Sequence, residues 1–179
     1  MKKLEGYAAM FDSLSQDLGG FQEVIRRGAF DQTLKSGDAR FLWSHSESDP
    51  LGRVSAGGLR LSTDSTGLRF ELDLPNTVMA RDLLDLVERR IITAMSFGFS
   101  VPRDGDTWRR AASNGLPLRE LVRIDLKEIS ACAWPAYLST SVTVRTEASG
   151  AQPVAAVPFT SRDLDMKKRR LRLIELTAA

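Results

Sequence analysis

Residues 91–101 read IITAMSFGFSV. Along an extended chain successive side chains point to opposite faces, so Met95, Phe97 and Phe99 fall on one side while Ala94, Ser96, Gly98 and Ser100 fall on the other. The first side is apolar enough to bury. The second is small, which leaves room for something laid against it. Ser96 stands where an apolar residue would pack better, although a small residue inside a strand often only relieves crowding.

Working outward, the stretch before it is the clearest helix, residues 77–90. Asn76 or Thr77 can cap it, and Met79, Leu83, Leu86 and Val87 line one face at helical spacing. Further upstream, Leu59 and Leu61 alternate with polar residues, as do Leu68, Phe70, Leu72 and Leu74, the pattern of half-buried hairpin arms in antiparallel sheets. Residues 4–11 and 40–43 read as strands. Residues 30–35 read as a short helix ended by Gly37, after Gly28 has broken the run before it. Downstream, strands are expected near 107–111, over 118–134 with a bend or bulge because of its length, and over 141–146. The expected fold is β-rich with a few helices, an α+β chain.

Residues 147–161, EASGAQPVAAVPFTS, carry small residues and two prolines and read as a linker. Beyond it, residues 162–179 form a basic segment expected to be helical. Six basic residues (Arg162, Lys167, Lys168, Arg169, Arg170, Arg172) stand against three acids (Asp163, Asp165, Glu175) there, so the net charge of +2 resides in this tail and the body is slightly acidic. The body therefore has no nucleic-acid footprint, and no direct nucleic-acid role is expected. At 42% apolar composition, 179 residues suffice for one domain with a real core. No run approaches the ~18 apolar residues of a membrane span, and no signal peptide opens the chain, so it reads as cytoplasmic.

Single copies of two residue types narrow the chemistry. One cysteine, Cys132, excludes an internal disulfide and a multi-thiolate zinc site, and its apolar setting in ISACAW reads as packing. One histidine, His45, excludes a two-histidine metal site, and no cofactor or metal is expected. A lone histidine is usually a surface or satisfied core residue; if it works, it works as an acid or base. Ser96 is no Gly-x-Ser-x-Gly elbow, since its neighbours are Met95 and Phe97. In LKEISACAWPAY, however, Glu128 and Ser130 share a strand face among apolar neighbours, and a carboxylate there is costly unless paired. An imidazole would be such a partner. His45, Ser96 and Glu128 together meet the requirements of a serine hydrolase: a hydroxyl, a base to take its proton, and a group holding that base in one tautomer.

Taken in order, the motifs resemble those of the prohead maturation proteases of tailed phages, distant relatives of the herpesvirus assemblins. The likeness runs from GYAAMF (Gly6–Phe11) through EVIRRGAF (Glu23–Phe30), WSH (Trp43–His45), PLGR (Pro50–Arg53), GLRFELDLP (Gly67–Pro75) and MSFGF (Met95–Phe99) to EIS (Glu128–Ser130), PAY (Pro135–Tyr137) and a close at Arg145. It implies a serine endopeptidase on a small closed or partly open β-barrel flanked by helices. It also implies a protease domain over 1–146, with Ser96 as nucleophile, His45 as general base and Glu128 as third member. Assemblins use a second histidine in that role, and this chain has none, so a carboxylate or nothing must serve; Ser130 and Asp49 are the alternative orienters. His45 is followed by Ser46 where the family usually has Asp or Asn.

By the same likeness the enzyme would be packaged inside an assembling procapsid in the host. It would cut the scaffold protein or the N-terminal scaffolding segment of the major capsid protein, and then itself. Homo-oligomerisation is compatible with that setting, and no membrane partner is expected. The segment from Met166, MKKRRLRLIELTAA, resembles the opening helix of a capsid scaffolding segment. Two other readings compete: a noncatalytic virion or scaffold protein keeping the same barrel, in which Ser96 is replaceable, and a small-molecule binder, which would need a wide apolar lumen.

Overall fold

The computed structural model describes residues 2–110 and 115–145; the expected linker and basic tail lie outside them. Along the chain run β1 (Lys3–Met10), β2 (Gln22–Ile25), α1 (Asp31–Ser36), β3 (Arg40–Trp43), β4 (Ser46–Arg53), β5 (Leu59–Thr63) and β6 (Gly67–Asp73). There follow α2 (Val78–Glu88), β7 (Ala94–Ser100), β8 (Asp106–Arg109), β9 (Leu118–Leu121), β10 (Asp125–Cys132) and β11 (Ser141–Arg145). The β-rich expectation holds, with two helices among the described residues.

The strands form three sheets, ordered β11-β1-β6-β5, β4-β3-β10-β7 and β2-β9-β8. The first is antiparallel throughout. In the second, β3 runs parallel to β10 while β4 and β7 are antiparallel to their neighbours. Among the described residues no sheet closes on itself, so a closed barrel is not what the ladders form. At the seam, β7 lies beside β1 and β11, but the links there are individual. Val142 N–H donates to the Thr93 carbonyl at 3.1 Å. The Thr140 hydroxyl accepts from Met95 N–H at 3.0 Å and donates to the Met95 carbonyl at 2.6 Å. A side chain thus satisfies main-chain groups that a further ladder would otherwise take.

The core explains why the MSFGF alternation folds as it does. Met95 and Phe97 are buried, and the Phe97 ring meets Phe30 edge-on at 6.3 Å, Phe99 at 5.3 Å and Tyr137 at 5.6 Å. Phe41 of β3 meets Phe70 of β6 at 5.5 Å, joining the two four-stranded sheets through their apolar faces. Each such ring contributes about 2 kcal/mol or more on burial. With that face spent on the core, the opposite face of β7 and β10 carries Ser96, Gly98, Glu128 and Ser130.

The helices lock this arrangement from outside. Thr77 caps α2, its hydroxyl accepting from Ala80 N–H at 3.2 Å, and Ala80, Leu83 and Val87 are the buried stripe. Helix α1 stops because Gly37 donates to the Thr33 carbonyl at 2.6 Å, an approach at which a Cβ would stand 2.2 Å from that oxygen. The Thr33 hydroxyl in turn accepts from Leu126 N–H at 3.1 Å, tying α1 to β10. No helix among the described residues is long and apolar enough to cross a membrane.

Candidate active site

Three strands position the site. In the β10–β7 ladder Glu128 pairs with Gly98 and Ser130 with Ser96. Paired residues share a face, so Glu128, Ser130, Ser96 and Gly98 all project to the side away from the Phe97 core. On the other flank of β10, Ser130 pairs with Leu42 and Ala131 with Trp43. The chain then turns through Ser44 and His45, and Ser46 pairs back with Trp43. Both loop residues have positive φ, 53° and 62°, the geometry of a two-residue hairpin turn that normally selects Asn-Gly. Holding two residues with Cβ atoms there costs about 1 kcal/mol each.

Two hydrogen bonds hold that turn over β10. Ser44 N–H donates to the Ala131 carbonyl at 3.0 Å, and His45 N–H donates to Ser130 Oγ at 3.1 Å. The imidazole then reaches Glu128, with Nδ1 2.6 Å from Oε1. A carboxylate can only accept, so Nδ1 carries the hydrogen, and in the neutral ring the lone pair belongs to Nε2. The other carboxylate oxygen, Oε2, accepts from Ser130 Oγ at 2.5 Å. The Glu128 side chain is 12% exposed and the His45 side chain 45%. The carboxylate is therefore largely shielded and doubly hydrogen-bonded, while the imidazole keeps a face open to solvent.

Gly98 makes the room. A Cβ there would lie 2.4 Å from Glu128 Oε1, so the glycine in MSFGF is where the carboxylate rests. The hydrogen bond to Glu128 raises the His45 pKa above the ordinary histidine value, and partial burial opposes it. The structure brings His45, Glu128 and Ser130 into one hydrogen-bonded chain. It sets Ser96, itself buried, on the same face opposite Ser130, with no hydrogen bond between Ser96 and His45. Asp49, the alternative orienter, lies on β4 and does not bond the imidazole, whose carboxylate partner is Glu128. Cys132 is buried, as its setting suggested.

Behind this face sits a buried carboxylate, Glu23. Its Oε1 accepts from the Tyr137 hydroxyl at 2.9 Å and its Oε2 from Arg119 at 3.3 Å. Burial raises its pKa, and burial beside Glu23 raises that of Tyr137. This group ties the β2-β9-β8 sheet to the Phe97 cluster through Tyr137. No cluster among the described residues has the make-up of a metal site.

A base with one nitrogen held by a carboxylate and the other left to take a proton, on the same sheet face as a serine, has the equipment of a serine hydrolase. Residues 1–153 match the family described as the caudovirus prohead serine protease, and the chain belongs to that family, one of serine proteases in bacteriophage capsid maturation. Among solved structures it is similar to a KSHV protease crystallised with a hexapeptide phosphonate inhibitor, at 11% identity and a TM-score of 0.45. The match covers 82% of this chain and 65% of that one, so the chain spans about two thirds of its length. No curated protein matches the chain.

Proposed function

We propose that this chain is the serine endopeptidase of procapsid maturation, with Ser96 as nucleophile, His45 as general base and Glu128 as the group that orients the base. The observation that carries the assignment is the 2.6 Å contact between His45 Nδ1 and Glu128. It leaves Nε2 as the basic nitrogen. Ser96 Oγ attacks the scissile carbonyl as Nε2 takes its proton, and Glu128 steadies the imidazolium that forms. The same proton passes to the leaving amine, giving an acyl-enzyme. Water, deprotonated by Nε2, then attacks the ester, and Ser96 regains its proton as the acid leaves. The carbonyl oxygen that becomes negative needs N–H donors, usually from the main chain.

On this reading the two four-stranded sheets are the halves of a partly open barrel, joined by the Phe41–Phe70 contact and the Thr140 link. The substrates are the scaffold protein or the scaffolding segment of the major capsid protein, and the protease itself, within a procapsid in the host cell. Residues 162–179 serve in docking or scaffolding. The test is co-expression of the full chain with the neighbouring capsid or scaffold protein, wild type against Ser96→Ala, read by intact mass. Discrete trimming of the partner and of the tail in the wild type alone is the expected result. Identical masses, with the two proteins still co-assembling, would refute it and favour a noncatalytic virion protein.

A further inference from the structure

The Ser130 hydroxyl lies between the two groups whose relative placement decides whether the imidazole is a usable base. Its oxygen accepts from His45 main-chain N–H at 3.1 Å and its hydrogen goes to Glu128 Oε2 at 2.5 Å. One atom thus fastens the backbone of the base to the side chain of its orienter. Ser130 is fully buried, flanked by Ile129 and Ala131 and paired with Leu42 and Ser96. An alanine would fill the strand position as well. What it would not supply is a partner for either bond.

Both ends of this link need holding. The Ser44–His45 turn sits in left-handed backbone that neither residue favours, so its main-chain N–H needs a fixed acceptor. Glu128 has rotatable bonds, and only one of its oxygens meets Nδ1. Occupying Oε2 stops the carboxylate from turning and keeps Oε1 on the ring. We propose that Ser130 is a positioning residue for catalysis: it fastens the His45 turn to Glu128, so that the imidazole presents Nε2 toward the Ser96 side of the sheet.

This rests on the assignment of Ser96, His45 and Glu128, and the test separates the two. Ser130→Ala is made in the full chain, and two readouts are taken. The first is the rate at which a fluorophosphonate modifies Ser96, by intact mass; Ser96 Oγ forms the bond to phosphorus, its proton goes to His45, and fluoride leaves. The second is the NMR titration of His45, unambiguous because it is the one histidine in the chain. The expected result is a fall of about 100-fold in the labelling rate, with the titration midpoint moving down toward that of an ordinary histidine. An unchanged midpoint, with or without a slower rate, would overturn the proposal, since a packing role would not hold the imidazole. A moved midpoint with an unchanged rate would overturn it too. If wild type and Ser96→Ala are labelled alike, the parent assignment fails instead, while the titration still reports whether Ser130 holds His45.

Discussion

A methyl group at position 98 should disarm the site without replacing any of its proposed catalytic residues. Gly98 is not in left-handed backbone, so alanine can adopt its conformation, and the added Cβ would stand 2.4 Å from Glu128 Oε1 and 3.2 Å from its Cγ and Cδ. Ordinary contact begins near 3.4 Å, so the oxygen must retreat by about 1 Å. The atom displaced belongs to a side chain, so the strand keeps its place and the carboxylate yields. A 2.6 Å bond to Nδ1 lengthened that far is no longer a hydrogen bond. Misplacement on this scale costs about 100-fold in rate. Unfolding free energy should change by no more than about 2 kcal/mol, the entropy gained on replacing glycine being offset by the shifted carboxylate. The assay is kcat/KM on a peptide spanning a mapped cleavage site, for Gly98→Ala, Glu128→Ala and the double variant. Because Glu128→Ala removes the atom that the methyl strikes, the double variant should match Glu128→Ala within about threefold, far from additivity. Wild-type activity in Gly98→Ala, or losses that multiply in the double variant, would refute the reasoning.

Two further outcomes follow from the charges. As the proposed base His45 must be neutral, and Glu128 raises its pKa; activity should therefore climb with pH along a limb lying above the ordinary histidine value of about 6.5. In Glu128→Gln that limb should move to lower pH while the plateau falls, and a limb that stays put in kcat/KM profiles would contradict the His45–Glu128 pairing. The same raised pKa stabilises the fold below the unfolded-state value, and that contribution disappears as pH rises through the folded one, so melting of His45→Gln should gain less than wild type on going from pH 8 to pH 5. Tyr137→Phe removes a hydrogen bond to buried Glu23 and should cost about 1–3 kcal/mol in denaturant unfolding, with fluorophosphonate labelling of Ser96 changed less than threefold.

Much of this architecture is legible in the sequence where one face of an element meets the core. β3 falls on residues 40–43 as read, and β1, β5, β6, β7, α1 and α2 lie within a few residues of their expected positions, because alternation and caps are local signals. Strand β4 is not legible. SESDPLGR holds a proline and one buried residue, Leu51, and is a strand only because β3 offers it a ladder. The run 118–134 divides into β9 and β10, which belong to different sheets, and Val122 and Arg123 both donate to the Gly105 carbonyl where the chain crosses. The bulge expected there lies within β10, between Leu126 and Glu128. At the site, the residue types pointed to His45, Ser96 and Glu128, but the contact between His45 and Glu128 spans 83 residues. Only the parallel register of β3 on β10 creates it. Ser130 was visible as a neighbour of Glu128 on one face; its second bond, to the His45 main chain, was not. Gly98 carried no signal beyond being small.

The two-residue turn that carries His45 leaves no slack in the chain. An extra residue between Trp43 and Ser46 would change the turn type and pass the imidazole to the wrong side of β3, since strand faces alternate. By contrast, the loop between β4 and β5 is exposed around Ala56 and Gly57, and none of it pairs with β10. Insertions and deletions accumulated by related chains should therefore collect in segments such as 54–58 and be purged from 44–45. For anyone grafting a tag or a reporter into this protein, the same contrast separates the positions that tolerate it from the turn that cannot.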